Sequence, residues 1–139
     1  MNILILNGPN LNLLGRREPA IYGTRSFEDY LEELKKLFPE DSLTYIQSNH
    51  EGDLIDALQD YGFGRADGIV FNAGGYSHTS ICLRDAVAAI TTPVVEVHIT
   101  DIHRREPFRR TSFLTDVAAC SISGHGLDGY REAIEFLKK

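Results

Sequence analysis

Lysine is scarce in this chain of 139 residues: there are four, at positions 35, 36, 138 and 139, against ten arginines. All four fall near the ends of segments with helical spacing, and none lies near the end of a strand-like run. Schiff-base catalysis, which needs an amine beside the substrate, is thereby excluded. Cysteine is scarcer still. Cys82 and Cys120 are far apart and flanked by apolar residues, so reduced, buried thiols are expected. No H-E-x-x-H and no cysteine pair is present, and His98 and His103 alone are weak grounds for zinc, so no metal is expected. No G-x-G-x-x-G follows the first strand-like run. Gly8 to Gly15 is not a Walker spacing either, and Arg16 follows where Lys-Ser/Thr should be. No cofactor is expected. No apolar run approaches the ~18 residues that cross a bilayer, and Met1 leads into a strand-like run without a basic leader. The expected location is the cytoplasm. A net charge of −6 argues against nucleic acid or an anionic membrane as partner. Repeats, linkers and low-complexity segments are missing, so one domain spanning residues 1–139 is expected.

The positive charge that is present is concentrated. Arg104, Arg105, Arg109 and Arg110 fall within seven positions of an otherwise acidic chain. A guanidinium presents a planar fork of donors, so such a patch points to a small carboxylate or phosphate ligand.

Strand-like and helix-like segments alternate from end to end. Apolar runs at 2–6, 43–47, 68–72, 93–98 and 117–122 read as strands. Helical spacing marks 26–38, 51–61, 79–90 and 127–137, with Ser26 and Asp29 resembling a capping box. Five strands alternating with helices predict an α/β fold with a parallel sheet covered on both faces. The architecture expected is a flavodoxin-like three-layer sandwich with strand order 2-1-3-4-5, and in such folds ligands bind beyond the carboxyl ends of the strands. Those exits are residues 7–25, 72–77, 98–110 and 123–126, and the first three hold nearly all of the unusual chemistry. The first is long for a connection between strand and helix, which marks it as a candidate active-site lid with Gly15 and Gly23 as hinges.

Three constellations stand out. Tyr22 lies five residues after Arg17 in the long loop. A guanidinium favours a phenolate, so the two read either as a general base with its activator or as a ring that packs the loop. Glu96 and His98 are two apart in a strand and point the same way. A carboxylate there fixes an imidazole for proton donation, or makes a structural hydrogen bond. The run Asn72 to Ser80 is rich in small residues and precedes a helix start, so its backbone can approach an anion closely, and His78 serves either ligand or helix.

Four motifs lie in order along essentially the whole chain. They are Ile-Leu-Asn-Gly-Pro-Asn-Leu-Asn-Leu-Leu-Gly at 5–15, Arg-Glu-Pro-Ala-Ile-Tyr-Gly at 17–23, Asn-Ala-Gly-Gly-Tyr-Ser-His-Thr-Ser at 72–80 and Glu-Val-His-Ile-Thr-Asp-Ile-His at 96–103. Together they resemble the type II 3-dehydroquinate dehydratases. The resemblance implies elimination of water from 3-dehydroquinate through an enolate, without metal or cofactor. Tyr22 is then the base, Arg17 its stabiliser, and His98 the acid, oriented by Glu96. Asn10 helps to hold the water that stabilises the enolate. Asn72, His78, Arg109 and the backbone at Ile99 and Thr100 are implied to hold the substrate. Asp85 is implied to reach a neighbouring subunit's site in a dodecamer of trimers. Departures from the pattern are Thr100 for Ser, Asp101 for Asn, and Arg110 and Thr111 for two His. The alternative from another class is a non-catalytic flavodoxin-like module that binds a small anion.

Overall fold

In the computed structural model, which describes residues 1–139, a five-stranded parallel sheet forms with order β2-β1-β3-β4-β5. The strands are β1 (Asn2–Asn7), β2 (Ser42–Gln47), β3 (Gly68–Asn72), β4 (Val94–His98) and β5 (Cys120–Ser123). The helices are α1 (Pro19–Tyr22), α2 (Phe27–Leu37), α3 (Glu51–Tyr61), α4 (Ile81–Ala89) and α5 (Asp128–Leu137). The expected strand order is the observed one.

Alternation along β1 explains the three layers. Ile3 and Ile5 project to one side, into a core shared with Phe27, Leu34, Tyr130 and Ile134 of α2 and α5. Leu4 and Leu6 project to the other, against Leu54, Leu58, Leu83 and Val87 of α3 and α4. β3 and β4 are buried along their whole length, as central strands of a doubly covered sheet must be. Ser26 caps α2, its hydroxyl accepting from the Asp29 N–H at 3.1 Å. Ser80 caps α4, accepting from the Leu83 N–H at 2.9 Å. No helix is long and apolar enough to cross a membrane.

Four expectations need correction. The last strand begins at Cys120 rather than 117, because Val117 and Ala118 both donate to the Leu114 carbonyl and form a turn. Val117 is apolar because it packs on the second core from that turn. The third helix begins at Ile81. Residues 74–78 form a separate 3-10 turn that places His78 outside the helix carrying Asp85. Cys82 is exposed, on the first turn of α4 beside exposed Ile81, and Cys120 is half-buried on the edge strand β5. The long loop after β1 is also more regular than a simple lid. Leu11 and Leu14 anchor it in the first core, and Pro19–Tyr22 close one turn of helix. Gly15 and Gly23 adopt φ of 91° and 86°, a conformation that side chains disfavour.

The exits of β1 and β3 are held together at Gly8, whose N–H donates to the Asn72 carbonyl at 2.7 Å. A Cβ at Gly8 would lie 2.5 Å from the Ala73 backbone oxygen, which has no free side chain to move aside. Gly8→Ala is therefore expected to cost about 1–3 kcal/mol of stability. Urea denaturation measures this, and an unchanged midpoint would contradict the close approach.

Candidate active site

A cavity of about 170 Å³ opens at the carboxyl ends of β1, β3 and β4. Nine of the eleven candidate residues line it: Asn10, Arg17, Tyr22, Asn72, His78, His98, Ile99, Thr100 and Arg109. Glu96 stands behind His98, and Asp85 lies outside. Asp85 is exposed on α4, and its neighbour Arg84 is committed to Asp116 and the Phe113 carbonyl.

Tyr22 is half-buried, and its oxygen accepts from Arg105 Nη1 at 3.1 Å. Arg17 lies over the ring face instead, its guanidinium carbon 4.6 Å from the ring centroid. Arg17 thus meets the ring face, and the direct hydrogen bond to the oxygen comes from Arg105. That residue is absent from the sequence-based set. Its only signal was membership of the arginine cluster, and the fold carries it to Tyr22 across 83 positions of chain. The same Nη1 donates to Thr100 Oγ1 at 3.2 Å, so the hydroxyl retained at position 100 has a defined partner. The cluster thus divides. Arg105 and Arg109 line the cavity, whereas Arg104 projects into solvent and Arg110 donates to the Arg105 carbonyl. Asp101 is turned away as well. It accepts from the His103 N–H at 3.0 Å and pairs with Arg104, so its charge does not face a ligand in the cavity.

Glu96 and His98 form the buried centre of the site. His98 Nε2 lies 2.6 Å from Glu96 Oε2, which fixes that nitrogen as the donor to an ionised carboxylate. Glu96 Oε2 also accepts from Ser112, and Oε1 accepts from Thr115 and Ser121, each at 2.7 Å. Burial alone would push this carboxyl up, but the hydrogen bonds from His98, Ser112 and Ser121 outweigh it and hold the group at about 2. His78 stacks near His98, with centroids 6.2 Å apart. Its Nδ1 donates to the Thr111 carbonyl at 2.8 Å, leaving Nε2 as the nitrogen available to a ligand. Burial, with His98 and Arg109 close by, lowers the affinity of His78 for a second proton.

Asn72 is set by a buried relay. Its Nδ2 donates to the Tyr130 hydroxyl at 2.9 Å, and that hydroxyl donates to Asn7 Oδ1 at 2.8 Å. Burial raises the Tyr130 phenol far above its ordinary range, so it remains a proton donor. The Gly74 N–H completes the set by donating to Asn72 Oδ1 at 3.0 Å. The site therefore combines fixed amides, a tyrosine held by arginine, an imidazole on a carboxylate, and three guanidiniums facing one small volume. No group of three His, Cys, Asp or Glu side chains converges in a way that would hold a metal ion.

The Glu96 carboxyl makes stability depend on pH. Its folded value of about 2 is depressed from the ordinary 4.5. The contribution is thus fully present above 4.5 and is lost as pH falls towards 2, and it amounts to roughly 3 kcal/mol at neutral pH. The stability advantage of the wild type over Glu96→Gln is expected to narrow across that window in urea denaturation. An advantage independent of pH would contradict it.

Comparison with known proteins gives one consistent answer. Residues 1–138 match the family model for class II dehydroquinase. A 3-dehydroquinate dehydratase of Exiguobacterium sp. is 56% identical over 139 residues, covering 99% of this chain and 94% of the relative. The crystal structure of the type II dehydroquinase from Butyrivibrio crossotus superposes with a TM-score of 0.96 at 42% identity, covering 100% of this chain and 98% of that one. The corresponding structure from Propionibacterium acnes gives 0.93 at 36% identity, covering 98% and 94%. With the fold, the cavity and these relatives in agreement, the chain belongs to the class II dehydroquinase family.

Proposed function

We propose that the protein is a 3-dehydroquinate dehydratase that eliminates water from 3-dehydroquinate to give 3-dehydroshikimate. The observation that carries this reading is the sharing of one cavity by Tyr22, bound through its oxygen to Arg105, and His98, bound to Glu96. A binding module has no use for a poised base and a poised acid together. Tyr22, as phenolate, removes the proton α to the ketone, and the charge passes to the carbonyl oxygen as an enolate. Arg105 and Arg17 stabilise the phenolate before the transfer. The enolate then collapses, the carbon–oxygen bond of the departing hydroxyl breaks, and His98 supplies the proton that makes it water. Glu96 stays anionic throughout and compensates the imidazolium.

The polar groups that line the cavity support the following substrate contacts. Arg109 and the backbone at Ile99 and Thr100 take the carboxylate, while Asn72 and His78 take hydroxyl groups. Asn10 holds a water against the enolate oxygen. Assembly as a dodecamer of trimers, with Asp85 completing a neighbouring site, belongs to the same reading. The exposure of Asp85, with the bare apolar side chains of Ile81 and Phe108, supports a covering partner.

Tyr22→Phe retains the ring and removes the oxygen that Arg105 binds. Turnover of 3-dehydroquinate, followed by the ultraviolet absorbance of the conjugated product, is expected to fall by about 10²–10⁴-fold while the protein stays folded. Near-wild-type turnover in this variant would reject Tyr22 as the base, and a wild type without turnover would reject the reading as a whole.

A further inference from the structure

The carboxylate of Glu96 is closed off by hydroxyls from two separate parts of the chain. Ser112 and Thr115 come from the turn that precedes β5, and Ser121 from β5 itself. Ser112 is committed to this task because its own oxygen accepts from the Leu114 N–H at 3.2 Å, which leaves its O–H to donate. Thr115 and Ser121 are exposed as residues, yet each turns its hydroxyl inward to Glu96 Oε1. Counting His98 Nε2, four donors meet the four lone-pair positions of the two oxygens. Both oxygens are saturated, so the carboxylate cannot rotate without giving up hydrogen bonds.

We propose that Ser112, Thr115 and Ser121 are positioning residues that lock the rotation of Glu96 and thereby select the His98 tautomer protonated on Nε2. The catalytic consequence rests on the reading of His98 as the acid. With Nε2–H committed to Glu96, Nδ1 is the ring nitrogen without a protein partner, on a side chain that lines the cavity. It is therefore the nitrogen that carries the mobile proton. Once that proton has passed to the leaving hydroxyl, the ring returns to the Nε2–H form, and Nδ1 regains a proton from water as Tyr22 gives up the one it took from carbon. If the carboxylate turns freely, the ring can instead rest with its proton on Nδ1 and Nε2 as acceptor, which blocks recharging.

The double variant Thr115→Val/Ser121→Ala tests this by removing both donors to Oε1 at surface positions, where folding is expected to survive. The ¹⁵N shifts of the His98 ring in ligand-free protein, followed with rising pH until the ring is neutral, report the tautomer directly. A predominantly Nε2–H ring is expected in the wild type and a mixture in the variant. The variant's kcat is expected to fall about tenfold or more with KM nearly unchanged. Thr115→Ser/Ser121→Thr keeps both hydroxyls and restores both readouts. If the double variant does not fold, Ser121→Ala alone shows a smaller change in the same direction. A wild-type ring spectrum in either folded variant overturns the proposal. A mixed spectrum with undiminished kcat supports the positioning role and overturns the reading of His98 as the acid.

Discussion

A carboxylate at 1% exposure in a run of valines governs this molecule. An isolated buried charge costs several kcal/mol, and a strand such as β4 can tolerate Glu96 only if donors surround it. Meeting that demand shapes three parts of the structure. His98 must turn Nε2 toward the carboxylate, which settles the orientation of the imidazole. The chain after Arg110 must fold back and deliver Ser112 and Thr115 before entering β5. β5 must carry a serine at the position in register with Glu96, and the ladder pairs Glu96 with Ser121.

The rest of the site depends on the sheet in a simpler way. Parallel strands release their chains at one end, so the exits of β1, β3 and β4 converge. Gly8 lets two of them touch, and the relay through Asn7, Tyr130 and Asn72 fixes the amide between them. Tyr22 is different, because it reaches the cavity on a long excursion anchored by Leu11 and Leu14 rather than on the sheet. Its position is settled by side-chain contacts at its far end, with Arg105 at the oxygen and Arg17 over the ring. The site thus combines an imidazole built into the rigid core with a tyrosine carried on a loop and pinned by arginine.

Local chemistry made much of this legible in the sequence. The short apolar runs, Ser26 before α2 and the alternation of element types were enough for the strand order and for the exits where ligands bind. The pairing of Glu96 with His98 was visible because two residues in one strand share a face. What escaped depended on contacts distant in sequence. Arg105 is 83 positions from Tyr22, so the sequence points only to the nearer Arg17, which does face the ring. The three hydroxyls around Glu96 carried no signal at all, because serine and threonine near a chain turn are common. The run 117–119 was apolar for a turn's reason rather than a strand's, and the exposure of Cys82 follows from a helix end that no local pattern reveals.

The proposed mechanism divides the labour, with Tyr22 taking a proton from carbon and His98 giving one to oxygen. Exchange in D₂O separates the two events. A His98→Asn variant is predicted to incorporate deuterium at the carbon next to the ketone of 3-dehydroquinate while releasing little product, because the base still works without the acid. Tyr22→Phe should do neither. Loss of exchange in the His98 variant to the level of the Tyr22 variant would contradict the assignment of separate base and acid.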